Sequence, residues 1–268
     1  MKLPLILVTN DDGVDSVGLW AAVEAVLPLG EVLVVAPNRQ WSGAGRSMPR
    51  RVTGAFTERQ HEMRNGQMVR AIGVDASPAL CVVHAMTEFA PRPPSLLVSG
   101  INFGENVSTE ITISGTVGAA LEAATFHIPA LAISLEMSIP DHLTGGESKD
   151  YAASQHFTAL FARRLLAQVL PFDADVLNVN VPDSATPATP WKLTRLSRQR
   201  YFLPVLPDRA NGDGRPGYSV TVEPEQTERD SDVWAMRVAR AVSVTPLSLD
   251  LTSRADFGMI EEQLRKEW

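Results

Sequence analysis

Continuous apolar runs, each stopped by a polar cluster, alternate with helical patterns along this chain. Leu5-Ile6-Leu7-Val8 ends at Asn10-Asp11-Asp12-Gly13 and predicts a strand buried on both faces. A helical pattern follows around residues 18–23, and Val32-Leu33-Val34-Val35-Ala36-Pro37 predicts a second buried strand closed by proline. Residues 95–100, 130–135 and 176–182 read as further strands. Between them lie a helix of small residues over 114–126 and an amphipathic one over 151–170, with Phe157, Leu160, Phe161, Leu165 and Val169 at helical spacing. This alternation predicts an α/β fold with a Rossmann-like, mostly parallel sheet flanked by helices. Beyond Pro182 the pattern breaks: residues 183–232 are rich in proline, glycine and charge, with short strand-like pieces such as 218–222. They predict a protruding β-hairpin arm. Residues 241–246 return to strand, and 257–268 form a short helix. The expected organisation is one structural domain, with an α/β core over 1–182 and the arm and C-terminal extension over 183–268.

Composition narrows the picture. At 268 residues and 44% hydrophobic the chain can bury a sizeable core, and with 21% charged residues and no low-complexity tract it does not read as disordered. A net charge of −7 excludes a generic nucleic-acid coat, so no stable nucleic-acid partner is expected. It would also repel a phosphate ester, unless a bound cation inverts the sign locally. The single cysteine, Cys81, sits in the apolar run Ala79-Leu80-Cys81-Val82-Val83; it reads as a core residue, with no intramolecular disulfide and a reducing compartment implied. No signal-type segment or membrane-length apolar stretch is evident, so a cytoplasmic location with no membrane partner is expected.

In an open parallel sheet, ligands bind at the carboxyl ends of the strands. Three polar clusters fall there: Asn10-Asp11-Asp12-Gly13, Ser42-Gly43-Ala44-Gly45 and Ser99-Gly100-Ile101-Asn102. Neighbouring residues on a strand point to opposite faces, so Asp11 and Asp12 can share one ion only if the chain leaves the strand there, a turn that Gly13 permits. Carboxylate, hydroxyl and amide oxygens suit Mg²⁺, Mn²⁺ or Ca²⁺. Each cluster alone is ordinary turn or cap chemistry; their expected convergence gives them weight. Ser114-Gly115-Thr116, preceded by Thr112 and opening a helix of small residues, combines capping hydroxyls with free backbone N–H groups, as an anion cradle would.

Competing motifs are absent. There is no phosphate-binding Gly-x-x-x-x-Gly-Lys-Ser/Thr loop, no Gly-x-Gly-x-x-Gly after the first strand and no Gly-x-Ser-x-Gly. The five histidines, His61, His84, His127, His142 and His156, lack His-Glu-x-x-His spacing and read as structural or surface residues. Asp-x-Asp spacing, needed by aspartyl-phosphate phosphatases of the haloacid dehalogenase type, is replaced here by adjacent carboxylates.

The strings at 8–13 (Val-Thr-Asn-Asp-Asp-Gly), 35–43 (Val-Ala-Pro-Asn-Arg-Gln-Trp-Ser-Gly) and 98–106 (Val-Ser-Gly-Ile-Asn-Phe-Gly-Glu-Asn) together resemble the SurE family of survival-protein nucleotidases. The likeness continues in order through 114–117, 129–135, 178–182 and 242–247 and covers nearly the whole chain. The resemblance implies a metal-dependent phosphomonoesterase acting on nucleoside 5′- and 3′-monophosphates, and in some members on polyphosphate. One divalent ion per subunit, Mg²⁺ or Mn²⁺, is expected on Asp11, Asp12, Ser42 and Asn102, with Asp11 or Asp12 taking the proton of the attacking water. Asn106, Ser114, Gly115 and Thr116 match the phosphate side. The resemblance also implies a homodimer or homotetramer that exchanges C-terminal segments, making 183–268 an oligomerisation extension. Two stretches depart from the family pattern: Ala76-Ser77-Pro78-Ala79-Leu80-Cys81-Val82 puts Leu80 in an acidic place, and Arg240-Ala241 replaces Gly-Tyr. The alternative these departures leave open is a non-catalytic nucleotide-binding or assembly protein on the same fold.

Overall fold

A computed structural model describes residues 2–138, 149–207, 209–210, 214 and 217–266. His142, parts of the arm and the last two residues of the expected C-terminal helix lie outside them. Strand β1 (Leu5–Thr9) is followed by α1 (Val17–Val26), β2 (Glu31–Pro37), β3 (Phe56–Glu62), β4 (Met68–Val74) and α2 (Pro78–His84). Next come β5 (Leu96–Phe103), α3 (Gly115–Thr125), β6 (Ala130–Leu135), α4 (Ala152–Ala167) and β7 (Val176–Val181). The remainder forms β8 (Trp191–Leu193), β9 (Phe202–Val205), β10 (Gly217–Val220), β11 (Val242–Leu247) and α5 (Phe257–Arg265).

Nine strands make one sheet in the order β3-β4-β2-β1-β5-β6-β7-β11-β8, and β9 and β10 pair antiparallel as a separate hairpin. The expected mostly parallel sheet is present, with antiparallel pairings of β3 on β4 and β11 on β7. Both β8 and β11 join this sheet, so the segment after residue 182 extends it as well as supplying the arm. Residues 5–8 of β1 and 32–37 of β2 are apolar because both faces are covered there. Ile6 and Val8 pack with α1 and α4 on one face, while Leu5 and Leu7 pack with α2 and α3 on the other. Cys81 is fully buried in α2, where desolvation pushes its thiol pKa far up.

The order of the strands positions the site. From β1 the chain moves outward to β2 and β4, then returns across β1 to lay down β5, β6 and β7 on the other side. The switch point lies between β1 and β5, where a crevice forms outside the carboxyl ends of the strands. The clusters after β1, after β2 and at the end of β5 all meet there.

Two departures from family pattern have local explanations. Ser77 caps α2 by accepting from Leu80 N at 3.3 Å, and Leu80 packs partly buried against the second core, so an apolar residue serves packing there. Arg240 has φ of +49°, a region glycine enters freely, and its guanidinium reaches Glu136 at 2.8 Å and also Asp183. Ionic contacts offset the backbone strain.

Candidate metal and phosphate site

The chain leaves β1 before the paired carboxylates. Asn10 closes a turn on Gly13, accepting from its N–H at 3.1 Å and donating to its carbonyl at 3.0 Å, and Gly13 takes φ of +105°. Asp11 and Asp12 therefore sit in a turn, free of strand alternation, as a shared ligand requires. Asp11 is buried, and its Oδ1 accepts the Thr116 hydroxyl at 2.6 Å. The backbone N–H groups of Gly115 and Thr116 lie near enough to favour its charged form. Gly115 has to be glycine: a β-carbon there would stand 2.7 Å from Asp11 Cβ.

Asp12 faces the other clusters. Its Oδ2 accepts from Phe103 N at 3.3 Å, immediately after Asn102 on β5. Gln40 Nε2 donates both to Asp12 Oδ1, at 3.4 Å, and to Ser42 Oγ, at 3.0 Å. One amide nitrogen thus bridges the first and second clusters. Asn102 spends its amide nitrogen on Gly104 O at 2.7 Å, which turns its side-chain oxygen into the atom available to a cation. The loop carrying Ser42 is itself tied down. Trp41 N donates to Asp11 O at 2.7 Å, Gly45 N to Ile113 O at 2.8 Å, and Arg46 pairs with buried Glu122 of α3 at 2.7 Å.

Electrostatics test whether these residues fit a cation. Burial raises the pKa of Asp11, and burial together with the neighbouring Asp11 charge raises that of Asp12 well above the ordinary carboxylate range. No cationic side chain offsets the pair among the described residues. No cluster of three or more His, Cys, Asp or Glu occurs among them either. A dication held by two carboxylates and neutral hydroxyl and amide oxygens matches this donor set, and those oxygens suit a hard ion.

The phosphate-side residues divide into two groups. Ser114 caps α3 by accepting from Val117 N at 3.1 Å, and the Thr116 hydroxyl holds Asp11. The start of α3 thus turns its Thr116 hydroxyl, and the field of the Gly115 and Thr116 N–H groups, toward the buried Asp11 carboxylate. Asn106 stands apart on the loop after β5. Its side-chain Nδ2 donates to Ser134 Oγ at 2.9 Å, and its peptide is gripped by Asn178 and Asn180 of β7. On its far side, Glu105 accepts the Tyr201 hydroxyl at 2.6 Å, and Ser108 N donates to Asp232 at 2.7 Å. The loop is pinned between the sheet and the base of the arm. Sequence reasoning missed Gln40, Asn178 and Asn180; the polar alternation along β7 was the available signal.

Comparison with known proteins identifies the family. Residues 6–202 match the family model for survival protein SurE. The chain belongs to the SurE family. A protein named 5′-nucleotidase SurE from Thermococcus kodakarensis is 43% identical over 262 residues, covering 97% of each chain. Its namesake from Archaeoglobus fulgidus is 42% identical, covering 96% of this chain and 95% of its own. The crystal structure of the SurE protein from Aquifex aeolicus superposes with a TM-score of 0.69 at 30% identity, covering 97% of this chain and 98% of its own. The site clusters at 10–13, 42–45, 99–102 and 114–116 all lie inside the part of the chain that matches the SurE model.

Proposed function

We propose that this chain is a metal-dependent 5′-nucleotidase. The observation that carries the reading is the convergence of Asp11, Asp12, Ser42 and Asn102 at the switch point of the sheet, in a chain 43% identical to proteins named 5′-nucleotidase SurE. Asp11, Asp12, Ser42 and Asn102 hold one Mg²⁺ or Mn²⁺ ion. When bound, this cation neutralises the paired carboxylates, polarises a phosphoryl oxygen and acidifies water.

The chain's own residues supply the rest. The Thr116 hydroxyl fixes the Asp11 carboxylate in one orientation. Among the described residues Asp12 Oδ1 carries one long hydrogen bond, from the Gln40 amide at 3.4 Å, so it is the oxygen we assign to take a proton from the attacking water. Asn106 and Ser114 hold the charge that builds on the phosphoryl oxygens, since phosphoryl transfer is chiefly positioning and charge stabilisation. The finer assignments belong to this reading: 3′-nucleotides and polyphosphate as further substrates, a cytoplasmic location, and a homodimer or homotetramer. In that assembly residues 183–268 form the contact; α5 exposes Phe257, Ile260 and Leu264 and needs cover. No helix among the described residues is long and apolar enough to cross a membrane.

The test is phosphate release from 5′-AMP, 3′-AMP and polyphosphate, each with Mg²⁺, Mn²⁺ and EDTA. Turnover of 5′-AMP that needs the cation is expected. Binding of AMP without phosphate release under any of these ions overturns the reading and favours the non-catalytic alternative.

A further inference from the structure

Two fully buried asparagines interrupt β7. In the run Val176-Leu177-Asn178-Val179-Asn180-Val181, Leu177, Val179 and Val181 pack on the α1 and α4 side, and the asparagines point the other way. Amides in the middle of a parallel sheet cost free energy unless each finds partners. Here the partner is the backbone of a single residue, Asn106, and Asn178 Oδ1 alone of these amide atoms finds none among the described residues. Asn180 Oδ1 accepts from Asn106 N at 2.7 Å while Asn180 Nδ2 donates to Asn106 O at 2.9 Å. The side chain reads the Asn106 backbone as a neighbouring strand would. Asn178 Nδ2 fills the remaining lone pair of the same carbonyl at 2.8 Å.

Ser134 on β6 takes one hydrogen of the Asn106 side-chain amide at 2.9 Å. Backbone and side chain of Asn106 are thus held from two strands, and among the described residues no partner takes its second amide hydrogen or Oδ1. A loop residue has been given the rigidity of the sheet. Val or Leu at 178 and 180 would fill the same space but would leave the Asn106 N–H and carbonyl without these partners.

The geometry points to Asn180, supported by Asn178, as a positioning residue of the phosphoryl-transfer reaction, which acts by fixing the Asn106 peptide so that its amide meets the phosphoryl group. This rests on the nucleotidase reading, in which Asn106 lies on the phosphate side. A donor misplaced by an ångström loses most of its effect on the transition state.

Asn180→Asp tests it. The variant keeps shape and the acceptor for Asn106 N–H, but sets a carboxylate oxygen against the Asn106 carbonyl. Three readouts are taken beside Asn106→Ala: kcat with 5′-AMP, calorimetric stoichiometry and affinity for Mn²⁺, and affinity of the Mn²⁺-loaded protein for inorganic phosphate. Expected for Asn180→Asp is a kcat about 10- to 100-fold down and phosphate bound about tenfold more weakly, with Mn²⁺ stoichiometry and affinity within about twofold of wild type. Adding Asn180→Asp to Asn106→Ala should lower kcat no further, since both remove one function.

Wild-type kcat in Asn180→Asp beside an impaired Asn106→Ala overturns the positioning role and leaves the nucleotidase reading standing. An additional tenfold fall in the double variant marks a general structural effect and also overturns it. Wild-type kcat in Asn106→Ala sinks the phosphate-side reading and the inference with it. If Asn180→Asp loses Mn²⁺ sites through misfolding, Asn178→Ala replaces it, removing one of two donors to the carbonyl. A kcat about 3- to 10-fold down supports the role, and an unchanged kcat refutes it.

Discussion

At the scale of single residues, the site is governed by where the charge of Asp11 and Asp12 goes. Asp11 is buried and held by the start of α3, so its removal takes away half the countercharge for a cation. Asp11→Asn should abolish cation-dependent turnover and weaken Mn²⁺ affinity by at least about 100-fold, while circular dichroism and unfolding stay cooperative. Near-wild-type turnover at saturating Mn²⁺ would contradict this. Gly115→Ala is a subtler probe. Alanine favours the helix, yet its β-carbon would crowd Asp11, so Mn²⁺ affinity should fall by about tenfold or more without loss of secondary structure. Unchanged affinity in calorimetry would show that Asp11 has slack. These residues were legible in the sequence because chemistry sits next to glycine at strand ends. Gln40 and Thr116 were not legible in their roles, since each contact joins stretches 28 and 105 residues apart.

At the scale of elements, the loop from Glu105 to Ser108 couples the arm to the site. The Tyr201 hydroxyl sits on buried Glu105 at the base of β9, and Glu105 precedes Asn106. Tyr201→Phe removes one hydrogen bond to a buried charged group, and about 1–3 kcal/mol of stability should go with it. The variant should also lower kcat several-fold while Mn²⁺ binding holds, if Asn106, next to Glu105, takes the phosphate side as proposed. A stability loss with kcat unchanged would uncouple arm from site. The elements themselves were unevenly legible. Strands such as β1, β2 and β5 announce themselves as apolar runs because both faces are covered. β3 reads Phe-Thr-Glu-Arg-Gln-His-Glu on an exposed edge, and β8 spans only three residues, so burial wrote no pattern into either. The asparagines of β7 were visible as alternation, but their partner lies more than 70 residues away.

At the scale of the whole molecule, the site sets an opposition between proton and cation. The folded-state pKa values of Asp11 and Asp12 are raised, chiefly by burial. A group raised in the folded state contributes stability when protonated, and loses that contribution as pH rises through its folded value. Without metal, the fold should therefore weaken as pH climbs from the ordinary carboxylate range through the raised values. A bound dication inverts the sign, because it favours the deprotonated pair and releases protons on binding. At a free Mn²⁺ concentration about 100 times Kd the gain should be about 2.7 kcal/mol, read as a rise in the unfolding midpoint. With Mn²⁺ fixed, that rise should shrink as pH falls and the carboxylates take up protons. Differential scanning across pH, with EDTA or Mn²⁺, measures both halves. If the midpoint shift is independent of pH, or survives in Asp11→Asn, the cation binds somewhere other than between these two carboxylates.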